Sequence, residues 1–239
     1  MNSGLLYLVA SPIGNLGDIT LRALEVLKHV DLIAAEDTRT TRKLLSHYSI
    51  ATPLVSYHDH IEQKKAGGLV EKLKAGTHIA LVSESGTPLI SDPGFNLVRT
   101  ALEGDIQVVP IPGAAACISA LIVSGLALDR FVFEGFLSRS PTKRRKTLRT
   151  LTGEERTMIF YESPHRLLKA LRDIETVLGN RRIALMRELT KKFEEQFRGT
   201  VQEAIEHFTE QGVRGEFVVV LEGQMKPRFT ERSERKSDG

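Results

Sequence analysis

Three stretches of this sequence set small or reactive residues directly after short apolar runs. In I-A-L-V-S-E-S-G-T-P-L-I-S-D-P-G, from Ile79 to Gly94, four apolar residues open into a cluster of turn formers. Gly86 lets a ligand approach the backbone closely, while Pro88 and Pro93 restrict φ and remove two N–H donors, so the loop is held in one shape. In L-I-A-A-E-D-T-R, the apolar residues Leu32 to Ala35 lead into Glu36, Asp37 and Arg39. A carboxylate placed there can act as a general base, and it can equally form a structural pair with Arg39. In I-P-G-A-A-A-C, Gly113 and three alanines strip away side-chain bulk, which suits either a ligand or tight helix–strand packing.

Such residues must be positioned by regular elements. Leu5 to Ala10 reads as a buried strand, followed by the loop S-P-I-G-N-L-G-D and a helix over Thr20 to His29. Leu32 to Ala35 is a second strand with a helix over Thr41 to Ser46. Leu54 to Tyr57 and Glu62 to Lys74 form a third strand and helix. Ile79 to Val82 precedes a helix over Phe95 to Glu103, and Val108 to Pro110 precedes one reaching Ser124. Five strand–helix units in succession predict a parallel α/β domain over residues 1–124, with ligands at the carboxyl ends of its strands.

The repeat pauses at Gly125 to Asp129, where a boundary is expected. Residues 125–226 then predict a mixed α/β domain. Its strands are Phe131 to Glu134, Thr157 to Tyr161, Ile183 to Arg187, an alternating stretch through Phe193, Glu195 and Phe197, and Phe217 to Leu221. Its helices cover the basic stretch before Thr150, Pro164 to Leu178 with proline at the first position, and Val201 to Gln211. Residues 227–239 have no apolar periodicity and read as a polar, mobile tail.

Composition excludes several classes. With 239 residues, 41% hydrophobic and 26% charged, the chain is ordinary globular material. The opening M-N-S-G-L-L-Y-L-V-A has no basic region and reads as a strand, not a signal peptide, so a cytoplasmic protein with no membrane span is expected. One cysteine, Cys117, excludes an internal disulfide and a cysteine-rich zinc site. His58, Asp59 and His60 read as a polar loop, and no metal site is expected. The first loop lacks both the nucleotide-phosphate and the dinucleotide glycine patterns, and Ser83 and Ser85 lack a nucleophile elbow. The net charge of +3 says little about partners. Between Ser138 and Thr150, however, Arg139, Lys143, Arg144, Arg145, Lys146 and Arg149 stand with no acid among them: either a phosphate-binding field or a solvated helix face.

The segments S-P-I-G-N-L-G-D-I-T, D-L-I-A-A-E-D-T-R, S-G-T-P-L-I-S-D-P-G, P-I-P-G-A-A-A, F-Y-E-S-P-H-R, R-E-L-T-K and G-E-F-V-V-V-L-E-G, in this order, resemble the tetrapyrrole methylase superfamily. Within it they resemble the branch that 2′-O-methylates a cytidine of small-subunit (16S) ribosomal RNA. The resemblance implies S-adenosylmethionine as cofactor, bound in a cleft between two α/β domains, a homodimer, and the small ribosomal subunit or its RNA as partner. By motif position it assigns Pro12 to the first cofactor loop, Ser85, Gly86, Thr87 and Ile90 to the second, and Ala115 and Ala116 to the third. From the second domain it assigns Tyr161, Glu162, Leu189 and Thr190.

This chain departs from the family pattern in two places. Members more often carry Asp and Ala where Glu84 and Ser85 stand, and many continue into a small helical C-terminal domain, so the basic stretch here is expected to carry more of the RNA binding. A ribose 2′-hydroxyl is a poor nucleophile that benefits from a positioned base. Glu36 is the expected base, and Lys191, with its pKa lowered, a second group able to serve. Arg39, Lys143, Arg144, Arg145, His165 and Arg166 are the expected RNA contacts. Two other readings share the fold: a methylase of a tetrapyrrole or other small molecule, and a non-catalytic RNA-binding factor.

Overall fold

The computed structural model describes residues 3–57 and 62–224, the side chains of 62–65 excepted. His58, Asp59, His60 and the tail from 227 onward therefore lie outside the described residues. Two five-stranded sheets organise the chain, as the alternation of strand and helix predicts.

The first sheet holds β1 (Leu6–Val9), β2 (Leu32–Ala35), β3 (Leu54–Ser56), β4 (Ile79–Val82) and β5 (Val108–Ile111), in the order β3-β2-β4-β1-β5 with every pair parallel. All four residues of β4 are buried, because helices cover both faces and leave no solvated side to alternate towards. On one face, α1 (Leu21–His29) and α2 (Thr38–His47) bury Ala23, Leu27 and Leu45 against Val9, Ile33 and Val82. On the other, α3 (Glu62–Lys74) and α4 (Phe95–Glu103) bury Leu69, Leu73, Leu97 and Ala101 against Leu6, Ile79 and Leu81. From β1 the chain crosses towards β2, and from β4 it crosses the other way towards β5. The strand order thus reverses between β1 and β4, which opens a crevice outside their carboxyl ends.

The second sheet is mixed, in the order β6-β7-β10-β8-β9. It comprises β6 (Phe131–Phe136), β7 (Thr157–Glu162), β8 (Arg182–Arg187), β9 (Glu195–Thr200) and β10 (Phe217–Leu221). Only β6 and β7 run parallel; the other pairs are antiparallel. Three helices, α6 (Pro141–Thr150), α7 (Leu167–Leu178) and α8 (Val201–Gln211), cover one face through Leu148, Leu171, Ile174 and Phe208.

The opposite face receives a helix from the other half of the chain. α5 (Ala116–Ile122) packs Cys117, Ala120 and Leu121 against Ile159, Ala184, Met186 and Val220, alongside Ile13 from the loop after β1. The fifth strand–helix unit expected in the parallel sheet is therefore split. Its strand sits in the first sheet, and its helix completes the second.

Several element boundaries also differ from expectation, and β6 runs on to Phe136 instead of ending at Glu134. α2 begins at Thr38, because the Asp37 carboxylate caps it by accepting from the Arg39 amide at 2.7 Å. α7 begins at Leu167 rather than Pro164: the amides of Arg166 and Leu167 both donate to the Ser163 carbonyl, closing a turn first. β9 begins at Glu195 and leaves Phe193 outside the strand and exposed. The expected starts of α1 and α8 hold, each capped by a threonine: Thr20 accepts from the Ala23 amide, and Thr200 with Glu203 forms a reciprocal capping box.

Candidate active-site cleft

A cleft of about 750 Å³ lies where the carboxyl ends of β1 and β4 face the second sheet. Three loops of the first half build one wall, and they are tied to each other before any ligand arrives. The Ser11 amide donates to the Gly86 carbonyl at 2.9 Å, and the Gly86 amide donates to Ser11 Oγ at 3.0 Å. Ser83 Oγ donates to the same Gly86 carbonyl, and Thr87 Oγ1 donates to the Ala114 carbonyl at 3.0 Å. Gly86 takes φ of +81°, and a Cβ there would lie 3.0 Å from Ile13 Cγ2 and 3.3 Å from the Ala114 oxygen. Only glycine fits without displacing a neighbouring loop. Further along, Leu89 and Ser91 hold positive φ without being glycine, a strain sustained by the surrounding structure.

The second wall comes from β7, β8, β10 and the turn after β8. Tyr161 accepts from the Cys117 amide at 3.1 Å through its hydroxyl, and burial pushes its pKa up. Glu162 is 3% exposed; burial raises its pKa, against the opposing pull of the Ser163 amide and of Arg166, whose guanidinium pairs with it at 2.6 Å. Glu188 and Thr190 take positive φ, and Lys191 donates to Glu188 at 3.0 Å and to Glu216 at 2.8 Å. Gly14 carries the first wall up to this turn: a Cβ on it would sit 2.8 Å from Thr190 Oγ1.

Pro12, Ser85, Gly86, Thr87, Ile90, Ala115, Ala116, Tyr161, Glu162, Leu189 and Lys191 all face this cleft. Thr190 does not line it. It stands behind Gly14, its amide bonded to Glu194 and its hydroxyl buried without a partner. Glu36 lies beside the cleft, where Oε2 accepts from the Glu84 amide at 3.3 Å.

Lys191 does not have the lowered pKa a base would need. Burial alone would lower it, but the hydrogen bonds to Glu216 and Glu188 outweigh burial and raise it, so the side chain stays a cation.

The expected RNA contacts separate in the same way. Arg144 is 3% exposed and forms a buried pair with Asp173, so it faces the core of α6 and α7 and not solvent. Its burial follows from α6 itself, which turns Arg144 and Leu148, four residues apart, inward together. Arg166 is held by Glu162, Ser163 and the Leu137 carbonyl. Arg145 also reaches Asp173 at 2.6 Å, yet half of its side chain remains exposed. Lys143 and His165 are exposed, and Arg39 is exposed while paired with Asp37.

Sequence reasoning missed several lining residues: Lys43, Asp92, Phe136, Met186, Glu216, Phe217 and Val218. Met186, Phe217 and Val218 belong to strands whose register no local pattern reveals. The bend that aims Phe136 is signalled only by Gly135 beside it.

The lining suits a cationic ligand with an apolar part. Carboxylates of Glu84, Asp92, Glu162, Glu188 and Glu216 outnumber the ammonium groups of Lys43 and Lys191, and Ile13, Met186, Leu189 and Val218 supply an apolar floor. Among the described residues no cluster of His, Cys, Asp or Glu could hold a metal, and no helix is long and apolar enough to cross a membrane.

Comparison with known proteins agrees with this arrangement. Residues 5–205 match the family profile of the tetrapyrrole (corrin/porphyrin) methylases. A protein of Synechocystis sp. named ribosomal RNA small subunit methyltransferase I is 56% identical over 97% of this chain and 85% of its own length. Its namesake in Bacillus subtilis is 49% identical over 97% of this chain and 79% of its own. Among solved structures, the uroporphyrin-III C-methyltransferase of Thermus thermophilus in complex with S-adenosylhomocysteine superposes with a TM-score of 0.66. It is 19% identical and covers 92% of this chain and 97% of that one.

Proposed function

This chain belongs to the tetrapyrrole (corrin/porphyrin) methylase family, and from that premise we propose that it transfers a methyl group from S-adenosylmethionine to small-subunit ribosomal RNA, at the 2′-hydroxyl of a cytidine ribose. The observation that carries the reading is the cleft. A pre-tied cradle of small residues faces a wall of paired carboxylates, in a chain about half identical, over nearly its whole length, to proteins named as methyltransferases of that RNA.

When bound, the sulfonium of the cofactor supplies a methyl group already activated for attack. The protein's share of the work is then orientation and the exclusion of water. The loops at Pro12, Ser85 to Thr87 and Ala115 to Ala116 would hold the cofactor through backbone and small side chains, with Ile90, Leu189, Tyr161 and Glu162 completing its site. The excess of carboxylates over ammonium groups around the cleft favours a cationic cofactor.

Glu36 is the base we assign to the acceptor hydroxyl. Its carboxylate is oriented by the Glu84 amide, whereas Lys191 stays protonated and holds Glu188 and Glu216 in place. Lys143, Arg145, Arg39 and His165 are the groups assigned to RNA phosphates, and the working unit is a homodimer.

The test is transfer of labelled methyl from S-adenosylmethionine to small ribosomal subunits lacking the modification, followed by nucleoside analysis. The expected product is 2′-O-methylcytidine. Transfer to a tetrapyrrole alone, or RNA binding without transfer, would replace this reading. Glu36→Gln keeps an oxygen for the Glu84 amide and removes the basic group, so turnover should fall about 10²- to 10⁴-fold with cofactor affinity unchanged. Turnover at the parent rate would remove Glu36 from the mechanism.

A further inference from the structure

β6 runs beside β7 in register from Phe131 opposite Thr157 to Phe133 opposite Ile159, and then slips. Gly135, not Glu134, lies opposite Phe160, and Phe136 lies opposite Tyr161. One extra residue in a strand exchanges the faces of everything after it. Without the slip, Phe136 would share a face with Val132, which packs into the core under α6 and α7. With it, Phe136 joins Phe133 and Tyr161 on the opposite face, and Leu137 takes the buried place in that core instead. Gly135 makes the bend possible with φ of +62°, and a Cβ there would come 3.2 Å from Ser91 Oγ.

The outcome is a large aromatic ring left 55% exposed at the edge of the cleft. Folding gains nothing from that exposure, and the same strand had a buried place to offer. The ring is also held in a fixed attitude. The Tyr161 ring meets it edge-on at 5.5 Å, and the Arg166 guanidinium carbon lies 5.9 Å from its centroid. Arg166 is itself fixed by Glu162 and by the carbonyl of Leu137, the residue after Phe136. Beyond that residue the chain passes through Ser138 and Arg139 into α6, which carries the exposed Lys143, Arg145 and Lys146. An exposed aromatic ring at the mouth of a cleft is the kind of surface on which an unpaired nucleobase stacks.

We propose that Phe136 is a positioning residue for the RNA substrate: the acceptor nucleotide, or its immediate neighbour, stacks its base on the Phe136 ring and so brings a ribose into the cleft. The inference rests on the reading that the cleft methylates RNA. A stacked base accounts for the bulge, the exposure of the ring and the clamped Arg166 together. It also assigns Arg166 a part that its ion pair left open: backing one face of the ring instead of gripping a phosphate.

The experiment uses the full chain and unmodified small ribosomal subunits. Phe136→Leu keeps apolar bulk but removes the aromatic face, and it should raise KM for the subunits about 10- to 100-fold with cofactor affinity within twofold of the parent. Phe136→Trp should restore KM. Because the chain has no tryptophan, that substitution also adds a single indole, whose emission, after subtraction of parent plus subunits, should be quenched when subunits bind. A purely structural role would give neither the recovery nor the quenching. Phe136→Leu acting like the parent, or lowering cofactor affinity as much as RNA affinity, would overturn the stacking role and, in the second case, place the ring against the cofactor. A parent that binds S-adenosylmethionine and methylates no RNA would overturn the reading beneath the proposal as well.

Discussion

The two walls of the cleft reach a fixed shape by different means. The wall from the parallel sheet is fixed through backbone groups and short hydroxyl side chains: Ser11, Ser83, Gly86 and Thr87 hydrogen-bond to one another and to Ala114, so no long side chain is involved. The wall from the mixed sheet is fixed through ion pairs, Glu162 with Arg166, and Lys191 with both Glu188 and Glu216. A cradle tied this tightly leaves a Cβ on Gly86 only 3.0 Å from Ile13 Cγ2 and 3.3 Å from the Ala114 oxygen, so a methyl group there requires its neighbours to give. An ion-paired wall tolerates a change of side chain as long as its charges stay matched. The comparison teaches that shape is specified on one side and electrostatics on the other.

The sharpest way to break that contrast is Gly86→Val. The new side chain needs φ of +81° and meets Ile13 and the Ala114 oxygen, so the loops after β1, β4 and β5 must move apart. Misplacement on that scale costs about 100-fold or more in turnover, with a parallel loss of cofactor affinity by calorimetry and ~1–3 kcal/mol of stability from the backbone strain. A variant that binds S-adenosylmethionine as the parent does would show that the cradle is pliable after all.

The same contrast explains what could be read before any fold was known. Gly86, Pro88, Pro93 and Gly113 specify backbone geometry locally, so the cradle loops and the parallel sheet that carries them were legible in the sequence. Charge partners are not local. Nothing in K-R-R-K tells that both arginines meet Asp173 from another helix, or that Arg144 alone is buried there, and Lys191 reads as a candidate base until Glu188 and Glu216 are seen to hold its proton. The crossing of α5 to the second sheet was hidden for a related reason. Its small-residue face fits either sheet, and only the tertiary arrangement selects one.

The buried pair in the second half tests the electrostatic side. Burial alone would raise the Asp173 pKa, but hydrogen bonds from Arg145 and Arg144 outweigh it and hold the carboxyl below the usual aspartate range. A lowered folded-state pKa means the added stability is fully present above the unfolded value, and it is lost as pH falls through the folded one. Asp173→Asn should therefore cost ~3 kcal/mol near neutral pH by leaving Arg144 buried without its counter-ion. The gap between parent and variant in thermal melts should narrow only below pH ~4. A gap independent of pH down to acid unfolding would assign the loss to packing alone.

The smallest effect separates two neighbours on α6. Lys143 is exposed and Arg144 is buried, so adjacent cations in one basic run should respond in opposite ways. Lys143→Ala removes one charge facing solvent. It should leave the melting temperature unchanged, weaken binding to small subunits a fewfold at low salt, and reduce the slope of log affinity against log salt by about one. Arg144→Ala should do the reverse, lowering the melting temperature while leaving that slope intact, because a cation already neutralised by Asp173 has no phosphate counter-ion to release. If both substitutions changed the slope equally, α6 would have to turn or open on RNA, and the buried pair would be one state of a helix that re-pairs with phosphate.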